Sequence, residues 1–248
     1  GKPLYPFGYG LSYSTFSYSG LTASSSSLDA DGTIVFSVDV KNNSSWAGDE
    51  VVQLYSHQLT SRDKMPIKQL RGFQRVHLEP DQTKTVRLTV YASDLAHWDV
   101  TRSKWVVESS DHNFFLGSSS EDIRQSMTVS VRGETIPNRD ISAPTRAETF
   151  DAMSNLGIEF VDESTSQGTS VGVTAGDSWI KFAGVDLGTK SSMFTAKFAR
   201  TTTGTGQIRV RLDSPTGPLS GTAAVSDTGS VYTYTTVTAP LTGANGIH

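Results

Sequence analysis

The stretch TIVFSVDVKN, residues 33 to 42, has the clearest pattern in this 248-residue sequence. Ile34, Phe36, Val38 and Val40 recur at every second position, and most of the residues between them are polar. A period of two is the period of a β-strand that buries one face and exposes the other. The stretch therefore predicts a half-buried strand.

Runs of the same kind lie on both sides of this strand. The clearest are EVVQLYSHQL (50–59) and KTVRLTVYA (84–92), and shorter runs follow as KWVVES, NFFLG and MTVSV. Such short spacing is typical of an antiparallel sandwich. The segment ASDLAHWD (92–99) alone predicts a single helical turn, capped by Ser93 or Asp94. The absence of a long amphipathic pattern argues against a parallel α/β architecture.

The composition changes near residue 137. The segment RGETIPNRDISAP (132–144) has two prolines and no periodicity, and we interpret it as a linker. Strand patterns then resume in DSWIKFAGVDL, SSMFTAKFAR, QIRVRLD and VYTYTTVTAPL. The sequence therefore predicts an all-β protein of two β-sandwich domains, residues 1–137 and residues 138–248. We expect the second domain to be incomplete, because its last predicted strand has barely begun at His248.

Composition also excludes several functions. The net charge is −4 and no basic stripe is present, so nucleic acid is not an expected partner. The chain has no cysteine for a disulfide or a thiolate metal site, and no apolar run near the roughly 20 residues that span a membrane. Most acidic residues stand beside predicted turns, where paired carboxylates for sugar hydrolysis are not expected. We expect these 248 residues to carry no catalytic residue.

The first domain resembles a known family. The segments PLYPFGYGLSYSTFSYSGL, AGDEVVQLY, KQLRGFQRVHL, WVVE and FLGSSSEDIR are similar to the fibronectin type III-like C-terminal domain of family 3 glycoside hydrolases. That family includes β-glucosidases and β-xylosidases. The resemblance implies that α/β catalytic domains, which hold the nucleophile and the acid/base residue, precede residue 1. Residues 4–13 would then form a connector whose rings pack against a neighbouring domain.

The second domain resembles family 6 carbohydrate-binding modules over residues 141–248. The segments that carry the similarity are TRAETFDAMSNLGIEF, SVGVTAGDSWIKFAGVDLG and QIRVRLDSPTGPLSGTAAVSDTGS. The resemblance implies a lectin-like jelly-roll sandwich, here without its last strand or strands. Such modules bind sugar by stacking its apolar face on aromatic rings while polar side chains satisfy its hydroxyl groups.

The resemblance also indicates site residues. Two aromatic positions of the family's loop-end site fall on Val173 and Val231, which lack rings, so we predict weak or altered sugar binding. The sugar-binding candidates are then Trp179, Tyr232, Tyr234 and Glu163, with Glu159 as the alternative acid.

A structural calcium is common in the family, held partly by an acid-Ala-Glu motif. The corresponding segment here is RAE (146–148), in which Arg146 replaces one ligand and Glu148 keeps the other. Calcium requires six to eight oxygen ligands. Glu148 is therefore the candidate metal ligand of a calcium site that the resemblance allows but the motif weakens.

Together these features predict the non-catalytic C-terminal region of a family 3 β-glycosidase. Its expected partners are its own catalytic domains and a polysaccharide, either xylan or β-glucan, and its expected location is extracellular or periplasmic. A structural or adhesive pair of sandwiches without sugar binding is the alternative. Sugar-reversible retention on insoluble polysaccharide distinguishes the two.

Overall fold

A computed structural model describes residues 3–166 and 168–248. The chain divides into two compact units, Gly1–Ile136 and Pro137–His248. Within the described residues, regular structure consists of strands and two short 3-10 turns, which confirms the predicted all-β class. No helix among these residues is long and apolar enough to span a bilayer.

The first unit contains two main sheets. One has the strand order β1-β3-β6, and the other has the order β2-β10-β9-β4-β5, in which only the β2–β10 pair is parallel. A hairpin of β7 and β8 stands apart from both. The strands are β1 (Phe16–Ala23), β2 (Ser27–Asp29), β3 (Thr33–Asn42), β4 (Gly48–Gln58), β5 (Gln69–Leu78), β6 (Thr83–Tyr91), β7 (His97–Asp99), β8 (Lys104–Val106), β9 (Ser110–Gly117) and β10 (Ile123–Arg132).

The core of the first unit follows the alternation seen in β3. Ile34, Phe36, Val38 and Val40 are each at most 1% exposed, which confirms the buried face predicted for this strand. The ring of Phe36 lies 4.5 Å from that of Phe114 on β9, so the two sheets meet through aromatic side chains. Burial of such side chains stabilises a fold by about 1.5–3 kcal/mol each.

The helical turn predicted over residues 92–99 is shorter than expected. A 3-10 turn covers Ala92–Leu95, and β7 begins at His97. Asp99 at the end of β7 is fully buried and accepts hydrogen bonds from Arg62 at 3.0 Å and Arg102 at 2.5 Å. Arg62 and Arg102 lie outside residues 92–99, so the local pattern did not indicate the ion-pair cluster around Asp99.

Within the described residues, the strands of the second unit form two-stranded sheets. The pairs β12–β15, β13–β14, β17–β20 and β18–β19 are antiparallel, and β11–β16 is parallel. The strands are β11 (Arg139–Asp140), β12 (Ala152–Met153), β13 (Ile158–Asp162), β14 (Thr169–Val173), β15 (Ile180–Lys181), β16 (Val185–Asp186), β17 (Met193–Phe198), β18 (Gly206–Arg211), β19 (Leu219–Val225) and β20 (Thr235–Pro240).

A buried cation lies at the start of the second unit. Arg139 is 2% exposed although it lies in the segment predicted to be a linker. Its guanidinium bonds to the carboxylate of Asp151 at 3.0 Å and lies 5.2 Å from the ring of Phe182. The backbone of Arg139 pairs with Val185 on β16. Part of the predicted linker is therefore an ordered strand of the second unit.

Candidate functional site

An open depression of about 660 Å³ lies at one surface of the second unit. Glu163 follows the end of β13, and Tyr234 immediately precedes β20, so residues far apart in sequence meet there. The residues that line the depression are Glu163, Ser164, Ser166, Gly168 and Tyr234.

The lining of this depression is polar with one aromatic ring. The phenol oxygen of Tyr234 lies 3.0 Å from the hydroxyl of Ser170, which fixes the end of the ring. The tyrosine is nevertheless 36% exposed, and the side chain of Glu163 is 42% exposed. One ring available for stacking beside a carboxylate and hydroxyl groups suits a ligand with an apolar face and many hydroxyls.

The other sugar-binding candidates lie outside this lining. Trp179 is half-buried in the turn before β15, and its carbonyl accepts a hydrogen bond from the amide of Ser154. Tyr232 is exposed, and its amide donates to the hydroxyl of Ser230 at 3.1 Å. The structure thus brings together Glu163 and Tyr234 among the four candidates.

Val173 and Val231 are both exposed, at 65% and 52%. They therefore offer branched aliphatic surface rather than a ring face at the positions that the family resemblance assigns to aromatic residues. Sequence reasoning missed the contribution of Ser164 and Ser166. Their signal was the serine-rich run DESTSQGTS (162–170), which contains the predicted acid Glu163.

Arg146 connects the acid of the depression to the start of the unit. Its Nη2 atom donates to Glu148 Oε1 at 2.5 Å, to Glu163 Oε2 at 3.1 Å and to the carbonyl of Thr169 at 2.6 Å. The hydrogen bond to Glu148, followed by that to Glu163, raises the pKa of Arg146 above its usual range. The arrangement is a cation surrounded by three oxygen acceptors.

These contacts bear on the calcium site that the resemblance allows. One oxygen each of Glu148 and Glu163 is already bonded to a positively charged side chain, which would repel a second cation. Within residues 3–166 and 168–248, no group of three or more His, Asp or Glu side chains is arranged to hold a metal ion. As Arg146 holds them here, these acids do not fit calcium, and the assignment of Glu148 as a metal ligand remains a prediction from the resemblance alone.

Comparison with known proteins identifies both units. Residues 50–120 match the family model of the fibronectin type III-like domain, and residues 146–248 match that of the carbohydrate binding module (family 6). The chain thus contains a segment that matches the fibronectin type III-like domain, followed by one that matches the family 6 carbohydrate-binding module. Its similarity to the C-terminal region of family 3 glycoside hydrolases is confirmed by the relatives that it matches.

Two curated relatives and one solved structure illustrate this similarity. Probable beta-glucosidase L of Aspergillus fumigatus is 43% identical over 145 residues, which cover 52% of this chain and 20% of the relative. Periplasmic beta-glucosidase of Salmonella typhimurium is 39% identical over 123 residues, which cover 50% of this chain and 16% of the relative. The solved structure of Beta-D-glucoside glucohydrolase from Trichoderma reesei has 37% identity and a TM-score of 0.49, and the match covers 52% of this chain and 20% of that structure's chain. The chain spans about a fifth of the length of the first of these relatives.

Proposed function

We propose that this chain is the non-catalytic C-terminal region of a family 3 β-glycosidase. In this proposal the second unit binds plant polysaccharide, either xylan or β-glucan, and the first unit supports catalytic domains of the same protein. The observation that carries the proposal is the meeting of Glu163 and Tyr234 in one open depression of a carbohydrate-binding module. The relatives are named as beta-glucosidases, which favours a glucoside as the substrate of the whole enzyme.

Sugar recognition in the depression would use both residues. The exposed ring of Tyr234 provides a stacking surface, and the carboxylate of Glu163 accepts hydrogen bonds from sugar hydroxyls. The site is open rather than enclosed, and Val173 and Val231 add no second ring. We therefore expect weak binding, which becomes useful when a tethered enzyme stays near an insoluble polymer.

The supporting role of the first unit rests on its connector, residues 4–13. Its large apolar side chains are exposed, and Leu4 and Leu11 reach 88%. The backbone is nevertheless held to the sandwich, because the carbonyl of Phe7 accepts from the amide of Ser120 at 2.9 Å and that of Gly8 accepts from Gln53 at 3.0 Å. A fixed backbone with outward apolar side chains suits a docking surface for another domain.

Retention on insoluble xylan and on cellulose tests the sugar-binding part. We expect the chain to be retained on one of them, to be released by the soluble oligosaccharide, and to lose retention after Tyr234→Ala or Glu163→Gln. Tyr91→Ala is the matched control, because it removes an exposed tyrosine from the first unit. Absence of retention on either polymer would favour the structural or adhesive alternative.

The docking part is tested in the complete enzyme. Leu11→Ser is expected to lower the midpoint of thermal unfolding of the complete enzyme and to leave that of these 248 residues unchanged. Leu156→Ser, at an 80% exposed leucine of the second unit, is the control. Equal effects of Leu11→Ser with and without the catalytic domains would contradict a docking role.

We also propose an extracellular or periplasmic location, because an insoluble polysaccharide does not enter a cell. One matched relative is named a periplasmic enzyme, which supports this location. Cell fractionation followed by immunodetection tests it, and recovery with cytoplasmic markers alone would contradict it.

A further inference from the structure

Three segments of the second unit converge on one nitrogen atom of Arg146. Glu148 belongs to the 3-10 turn Ala147–Thr149, Glu163 follows β13, and the Thr169 carbonyl begins β14. All three present an oxygen to Nη2 of Arg146, at 2.5, 3.1 and 2.6 Å. The guanidinium therefore closes both ends of the loop between β13 and β14 onto the start of the unit.

The two carboxylates are stabilised by a positive charge at this place. The side chain of Glu148 is 15% exposed, so its charge is largely removed from water. Glu163 shares the same nitrogen, and two neighbouring carboxylates without a counter-ion repel each other. Exposed single ion pairs contribute little to stability, but here one donor serves two carboxylates and a carbonyl.

The loop itself leaves little freedom for Glu163. The amide of Glu163 donates to the carbonyl of Gly168 at 3.1 Å. Gly168 has a φ of +91°, and a Cβ atom there would lie 2.7 Å from Glu163 Oε2. The backbone of Glu163 is thus held by the loop, and its carboxylate is held by Arg146.

We propose that Arg146 acts as a built-in cation, which performs for Glu148, Glu163 and the Thr169 carbonyl the role that a bound divalent metal would otherwise perform. The second unit then keeps its loop geometry without calcium. In the proposed sugar site, Arg146 is a positioning residue that acts through Glu163. The stability part of this inference does not rest on the proposed function, because its test measures unfolding and not sugar binding.

The test compares the thermal unfolding of the full chain in EDTA with that in about 5 mM calcium, above the 10⁻⁴–10⁻³ M at which extracellular calcium modules bind. The parent chain should unfold at the same temperature in both. Arg146→Asp should unfold earlier in EDTA and recover in calcium, since the substitution replaces the guanidinium by a third carboxylate. Arg209→Asp makes the same change of charge at an exposed position of β18 and should not respond to calcium.

Two results would overturn the inference. One is a parent chain that calcium stabilises by several degrees, since a metal would then bind despite Arg146. The other is an Arg146→Asp variant that responds to calcium no more than Arg209→Asp does. If Arg146→Asp does not fold, the test uses the variant Arg146→Met instead and measures its amide hydrogen exchange. Exchange in residues 163–170 should then accelerate relative to the parent chain, and unchanged exchange would equally refute a built-in cation.

Discussion

The phenol of Tyr18 donates a hydrogen bond of 2.9 Å to the carboxylate of Glu50 inside the first sandwich. Tyr18 is 7% exposed and Glu50 is 8% exposed, so water replaces neither partner easily. The guanidinium of Arg124 lies 5.5 Å from the ring of Tyr18 and adds a positive charge nearby. The pair shows how β1 and β4, which belong to different sheets, are joined by a polar contact within an apolar core.

Removal of the Tyr18 hydroxyl should destabilise the first unit. Tyr18→Phe leaves the buried carboxylate of Glu50 without this donor, and such a loss costs about 1–3 kcal/mol. Urea denaturation at pH 7 measures the change in the free energy of unfolding. Tyr13→Phe is the control, because Tyr13 is fully exposed. Equal losses in the two variants would show that the hydrogen bond does not stabilise the fold.

The titration of Glu50 should make the first unit more stable as the pH falls. Burial raises the pKa of Glu50 above its usual 4.5, although the bond from Tyr18 opposes this shift. The folded state therefore binds its proton more readily than the unfolded state, and this contribution to stability is lost as the pH rises through the raised pKa. Glu50→Gln should remove this slope. Urea denaturation from pH 4 to 8 measures the free energy of unfolding of the Glu50→Gln variant and of the parent chain. Parallel curves for the two would contradict the prediction.

His112 should produce the opposite slope. It is 2% exposed, and burial lowers its pKa from 6.5 to about 4. The folded state then binds fewer protons than the unfolded state between these values, so stability falls as the pH decreases from 6.5 to 4. A shift of this size corresponds to about 3 kcal/mol.

His112→Phe should flatten that part of the stability curve, because a phenyl ring keeps the contact with Phe114 and cannot be protonated. His77→Phe replaces an imidazole on the surface and is the control. Urea denaturation from pH 4 to 7 compares the two variants. An unchanged slope in His112→Phe would refute the role of this histidine.

The turn between β9 and β10 should not tolerate a side chain at Gly117. A Cβ atom there would lie 1.9 Å from the backbone oxygen of Asp122. Gly117→Ala must therefore displace the turn, at a cost of about 1–3 kcal/mol or more. The amide of Ser120 in the same turn bonds to the connector at Phe7, so this contact should weaken too.

Gly10→Ala is the matched control for this substitution, since no heavy atom lies within 4 Å of its Cβ position. Thermal unfolding measures the stability of both variants, and hydrogen exchange at Ser120 measures the contact with the connector. A Gly117→Ala chain as stable as Gly10→Ala would show that the turn adapts without cost.

Alternation predicted the first unit well because its strands are long and each has one apolar face. The second unit was harder to predict for a local reason. DSWIKFAGVDL was predicted as strand, but the structure contains the two-residue strands β15 and β16, separated at Gly184, which has a φ of +62°. VYTYTTVTAPL likewise becomes a strand only at Thr235, so Tyr234 lies in the preceding turn.

The candidate site could be predicted only in part. The resemblance supplied Glu163 and Tyr234 as separate candidates. A period of two in the sequence predicts which face of a strand is buried, but it does not predict which residues a loop contacts. The contact of Arg146 with Glu163 depends on the pairing of β13 with β14, which places the loop that follows β13 next to residue 146. Such a long-range contact has no signal in local sequence.

The burial of Arg139 determines at which residue a fragment that contains the second unit can begin. A fragment that starts at Ser142 would omit the arginine whose guanidinium pairs with Asp151 and the strand that pairs with β16. Recombinant production of the sugar-binding unit should therefore start upstream of Arg139. A shorter product would leave the carboxylate of Asp151 without its cation and β16 without its partner strand, an unpaired edge prone to aggregation.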